Sequence, residues 1–99
     1  MTNAVIATNF QPYAEFYING ELKMARLLYH RSELSVNANG ATSNLNIPNE
    51  YCPKGNLPHG IRDNVRMTLL FDTGNIKFDN YTSNNITVTF AHQWDYSYA

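Results

Sequence analysis

NVRMTLLFDTGNIKFDN, residues 64–80, is the stretch whose reading decides the fold. Val65, Met67, Leu69 and Phe71 recur at every second position, and Ile76 and Phe78 resume the pattern after Asp72-Thr73-Gly74. A period of two sends successive side chains to opposite faces of an extended chain, so each arm has one apolar face. Asp and Thr bond readily to nearby backbone, and Gly accepts the left-handed conformation that a reversal requires. The stretch predicts a β-hairpin with Val65, Met67, Leu69, Phe71, Ile76 and Phe78 facing inward and Gly74 left-handed.

The same pattern extends both ways along the chain. Downstream, SNNITVTFAHQWDY (83–96) alternates Ile86, Val88 and Phe90 against Thr87, Thr89 and Ala91. Upstream, EFYINGELKM (15–24) sets Asn19-Gly20 between two β-prone runs, which predicts a type I′ hairpin joining strands at about 14–18 and 21–29. Leu22, Met24 and Leu28 then share a face, and Arg26 falls among them, so the strand bends there or Arg26 reaches a partner. SVNANGATSNLNI (35–47) turns at Asn39-Gly40 and predicts another hairpin, between 33–37 and 41–47. Seven or eight short strands cannot hide their apolar faces in one open sheet. The expectation is an all-β chain, an antiparallel β-sandwich with jelly-roll-like character, as a single domain. The sandwich spans 14–99, and 1–13 form an N-terminal arm or linker remnant.

Composition bounds the partners. The chain has 99 residues, a formal net charge of −1 and only 15% charged residues, while Asn alone is about one residue in seven. Such a surface lacks the basic field that nucleic acid or an anionic membrane demands, and it suits neutral sugars or other protein surfaces. No apolar run approaches the ~20 residues of a membrane span. The N-terminus has neither the basic region nor the apolar run of a signal peptide. A single cysteine, Cys52, permits no intrachain disulfide and points to a reducing compartment.

Between the predicted hairpins lies IPNEYCPKGNLPHGI (47–61), with three of the four prolines and the only cysteine. Pro48 and Pro53 remove backbone donors and fix φ, which makes the segment stiff. Its second half, from Asn56 to Gly60 and including His59, is open to contact. Cys52 with His59 and Asp63 could be drawn as a nucleophile set, but nothing nearby lowers the thiol pKa and a buried inert thiol is the better reading. Asp72, Asp79 and Asp95 could be drawn as glycosidase carboxylates, yet turn and strand-end roles account for Asp72 and Asp79. His30, His59 and His92 have no ligand spacing. No catalytic residue, cofactor or metal site is expected. Asn80-Tyr81-Thr82 and Asn85-Ile86-Thr87 match the glycosylation pattern by chance in so Asn-rich a chain.

The C-terminal run from His92 to Tyr98 holds the only Trp. Trp94 and Tyr96 offer ring faces on which the C–H face of a sugar stacks, with His92, Gln93 and Asp95 as orienting groups. The other reading packs Trp94 and Tyr96 into the end of the sandwich or a subunit interface.

Four pieces taken in order resemble the C-terminal head domains of bacteriophage tail-fibre and baseplate receptor-binding proteins. They are FYINGELKMARLLY; LNIPNEYCPKGNLP, with Ile47, Pro48, Tyr51 and Pro53; RMTLLFDTGNIKFDN, with Asp72, Gly74 and Ile76; and NNITVTFAHQWDY, spread over about residues 15–96. Two features depart from that pattern. Cys52 stands where those loops carry a basic residue, and no stem precedes the domain, so either a stem was removed or this is a short accessory subunit. The resemblance implies a loop that crosses between sheets, pinned by Tyr51. It implies attachment to a host cell-surface saccharide as a homotrimer, among other tail or baseplate proteins, with no membrane insertion. The location implied is the virion tail tip or baseplate, after synthesis in the bacterial host cytoplasm. Candidate saccharide contacts are Trp94, Asp95, His92, Tyr96 and His59. The alternatives are a purely structural tail or baseplate subunit and a stand-alone monomeric carbohydrate-binding module.

Overall fold

The computed structural model describes residues 13–62 and 64–99, so the roles weighed for Asp63 and for the arm before Tyr13 lie outside the described residues. Strands β1 (Ala14–Asn19), β2 (Met24–Val36) and β7 (Ile86–Ser97) form one sheet in the order β1-β2-β7. Strands β3 (Ala41–Thr42), β4 (Leu57–Arg62), β5 (Val65–Leu69) and β6 (Ile76–Asn80) form a second in the order β3-β6-β5-β4. Every pairing is antiparallel. The apolar faces meet in one core, with Phe16, Leu27, Val36 and Trp94 from the first sheet and Val65, Met67, Leu69, Ile76 and Phe78 from the second. This is the all-β sandwich that the alternation predicts.

The 64–80 hairpin forms with Leu69 paired to Ile76, and Gly74 is left-handed at φ +69°. A β-carbon on Gly74 would sit 2.5 Å from the Ile47 carbonyl oxygen, so both conformation and space require glycine there. Phe71 departs from the expectation. The turn begins at Leu70, whose N–H donates to the Asn75 carbonyl, and this leaves Phe71 49% exposed.

The first hairpin is longer than a type I′ turn. The Asn19 side-chain oxygen accepts from the N–H groups of Glu21 and Leu22, at 3.1 and 3.2 Å, which stretches the connection to residues 20–23. That shift reverses the predicted faces. Ala25, Leu27 and Tyr29 are buried, Leu22 is exposed in the loop, and Arg26 and Leu28 face outward. Farther along β2 the pairing with β7 gains one residue between Arg31 and Leu34, at a bulge where Glu33 has φ +53°. The bulge moves the inward positions from odd to even numbers, so Leu34 and Val36 still reach the core.

Asn39-Gly40 does not close a hairpin. Gly40, at φ +86°, turns the chain out of β2 into β3, which pairs with β6 in the other sheet. The proline segment is therefore not the crossing between sheets. It joins β3 to β4, the two outer strands of a single sheet, and is the long connection of a Greek key. Its first part follows the end of β6, with Ser43 and Ile47 N–H donating to the Ile76 and Gly74 carbonyls. A 3₁₀ turn, Asn49–Tyr51, then leads to Cys52 and Pro53, both buried. Residues 57–60, expected as an open loop, begin β4, where Pro58 is tolerated because the strand lies at a sheet edge.

Candidate functional site

The outward face of the β1-β2-β7 sheet carries three cross-strand rows. Tyr17, Arg26 and Asp95 form one; Glu15, Leu28 and Gln93 form the next; His30 and Ala91 sit in the third. The second and third rows shape a shallow hollow of about 380 Å³, lined by Glu15, Leu28, Tyr29, His30, Ala91, His92 and Gln93, and the Tyr17–Arg26–Asp95 row runs beside it. Leu28 and Ala91 give it an apolar floor. Two of its polar groups, Gln93 and Glu15, are tied to the row beside it. Arg26 Nε donates to Asp95 Oδ1 at 2.7 Å, Gln93 Nε2 donates to Asp95 Oδ2 at 2.7 Å, and Tyr17 Oη donates to Glu15 Oε1 at 2.7 Å.

Asp95 is thus fixed on both oxygens while about two-fifths of its side chain stays open to solvent. The hydrogen bond from Arg26, assisted by Gln93, holds its carboxyl below the usual carboxylate range. An ionised, oriented carboxylate accepts hydrogen bonds well. It is the wrong protonation state for the proton donor of a glycosidase. Across Tyr17, the Glu15 carboxylate raises the phenol pKa by accepting its proton in a hydrogen bond.

The five residues proposed from sequence as saccharide contacts divide among three places. Asp95 lies on the outward face, together with Gln93. Trp94 and Tyr96 point the other way into the core, 5% and 6% exposed. Neither ring offers a face to a sugar, and the packing reading of both holds. Tyr96 Oη donates to the Tyr51 carbonyl at 2.6 Å, and burial pushes its phenol pKa far up. The rings of Tyr51 and Tyr98 meet edge-on at 5.1 Å. The end of β7 and the proline connection therefore brace each other, and Tyr51 pins the loop as expected. His59 and His92 occupy the flank where β4 and β7 come together, with rings stacked at 3.7 Å. Sequence reading missed this pair, because 33 positions of chain separate two histidines that only the Greek key brings together.

The remaining candidates are accounted for structurally. Cys52 is buried, with Sγ 3.4 Å from the Ile47 carbonyl oxygen, and burial, together with the Asp72 charge, raises its pKa. This is the inert thiol. Asp79 lies 3.5 Å from Lys77 Nζ, and Asp72 is exposed in its turn. Among the described residues no three His, Cys, Asp or Glu side chains converge as metal ligands. Asn80 is buried at 7% exposure. Its amide donates to the Val36 and Asn84 carbonyls while its oxygen accepts from Thr82, so this acceptor-pattern Asn is occupied within the fold. Asn85 holds the Ala38 N–H. Among the described residues no helix is long and apolar enough to cross a membrane.

No protein-family model matches this chain, and no curated protein or solved structure matches it either.

Proposed function

We propose that the protein is a non-catalytic attachment module that holds a neutral saccharide on the outward face of the β1-β2-β7 sheet. The observation that carries this reading is the Arg26–Asp95–Gln93 network beside the Leu28 and Ala91 floor. Sugar hydroxyls need donors and acceptors held in fixed directions, and their C–H faces need an apolar surface. This hollow supplies both. The Arg26 and Asp95 charges beside it are paired with each other, which suits an uncharged ligand. A shallow site gives weak contact per copy, so durable adhesion requires several copies acting together. The resemblance to phage tail-fibre and baseplate heads fits that arrangement, with the module as a trimer at a virion tip and a host cell-surface glycan as its target.

The test is a glycan screen on the wild type, followed by titration calorimetry with Asp95→Ala, Gln93→Ala and Leu28→Asp. Each variant should bind at least tenfold more weakly while remaining folded. A second reading, a purely structural tail or baseplate subunit, is favoured by the burial of Trp94 and Tyr96. It predicts no glycan binding by the wild type. Solution mass separates the trimer from a stand-alone monomeric module.

A further inference from the structure

β4 and β7 are the outermost strands of their sheets on the same flank of the sandwich, and no backbone ladder joins them. What spans the gap is the stacked pair His59 and His92, with ring centroids 3.7 Å apart and planes within 11°. His92 also meets the Trp94 ring edge-on at 4.6 Å. We propose that this pair is an acid-labile clasp, closing β4 onto β7 while both rings are neutral and releasing it when both are protonated.

Two neutral imidazoles stack as ordinary aromatic rings. Two imidazoliums at this separation repel. Among the described residues the surroundings offer no free counter-ion. The cross-strand partner of His92 on β2 is Tyr29, and that of His59 on β5 is Met67. Glu15, the carboxylate that shares the outer hollow with His92, already accepts from Tyr17. On β7 itself, Asp95 is on the opposite face and engaged by Arg26. His30 lines the hollow on the outward side and is exposed. Burial, and then the neighbouring His59, hold the His92 pKa below the ordinary 6.5. The sign follows from proton uptake. Below about pH 6.5 the unfolded chain takes up a proton that the folded chain refuses, so stability falls as pH drops through the folded value. This inference rests on the β4–β7 flank and is independent of the saccharide reading.

Thermal melts from pH 8 to pH 5 on the wild type, His59→Phe and His30→Gln test it. Phe keeps the stack and cannot be protonated, and position 59 is exposed, so the variant should fold. The wild-type midpoint should fall by roughly 4–8 °C as the clasp opens. In His59→Phe the fall should be less than half of that, and in His30→Gln it should be unchanged. Ring titration by NMR supplies a second readout that does not depend on reversible melting. His92 should titrate below 6.5 in the wild type and move upward in His59→Phe. Equal acid sensitivity in wild type and His59→Phe, or a wild-type His92 that titrates at its ordinary value, overturns the proposal.

Discussion

Strand β7 presents two different chemistries on its two sides. Inward, Trp94 and Tyr96 fill the end of the core and brace the proline connection. Outward, one residue away from each, Gln93 and Asp95 form a polar network with Arg26 across the strand pair. A run that reads as one cluster along the chain is split by the β pleat into a structural half and a solvent half. Residues adjacent in a strand never share a face, so proximity in sequence is poor grounds for assembling a site there. Binding chemistry should follow the odd-numbered residues of this run, and stability the even-numbered ones.

The largest expected effect is on the inward side. Trp94→Ala removes a nearly fully buried ring and should lower stability by about 3–5 kcal/mol, measured by chemical denaturation. Trp94→Phe sharpens the point. The Trp94 Nε1–H is buried with no hydrogen-bond partner among the described residues. A buried unsatisfied donor costs about 1–3 kcal/mol, so Phe recovers part of what its smaller ring gives up. The Phe variant should be much closer to wild type than the Ala variant. If Trp94→Ala were as stable as wild type and lost only ligand binding, the division between the faces would be wrong.

Tyr96→Phe is the next largest. It keeps the ring in place and deletes the hydroxyl that donates to the Tyr51 carbonyl. The loss should be about 1 kcal/mol, with glycan binding unchanged. Parallel loss of binding and stability in this variant would tie the proline connection to the site and blur the comparison.

The elements that were legible in sequence are those governed by local alternation. The 64–80 hairpin, left-handed Gly74 and the inward set of Ile86, Val88 and Phe90 follow from period two and turn chemistry alone. What sequence did not disclose depends on single-residue shifts or distant pairing. The Asn19 side chain lengthens the first turn and so reverses the predicted faces of β2. The bulge at Glu33 reverses the phase again. Arg26, an oddity on its predicted face, marked the error. A charged residue inside an apolar row is evidence that the row is read on the wrong parity, and the Arg26–Asp95 contact lies where the corrected parity puts it. The stacked histidines had no local signal, because their contact exists only through the strand order of both sheets.

On the outward side the effects on stability should be small. Asp95→Ala breaks an ion pair whose two side chains are about two-fifths exposed, a class of contact that contributes about 0.2–1 kcal/mol. Its pH signature is distinct from that of the histidine clasp. Arg26 and Gln93 depress the folded pKa of Asp95 below its ordinary 3.8, so the stabilisation is complete above the unfolded value and is lost as pH falls through the folded one. That window lies near pH 4 and below, whereas the histidine window opens near pH 6.5. Melts of Asp95→Asn should therefore match wild type in shape from pH 8 to 5 and diverge only below that, with a shallower fall and by a degree or two at most. Added salt should shrink this difference further, since the pair is exposed to screening. A divergence that began instead near pH 6 would mean that the outward network and the β4–β7 flank titrate as one unit, and the two sides of β7 would no longer be separable.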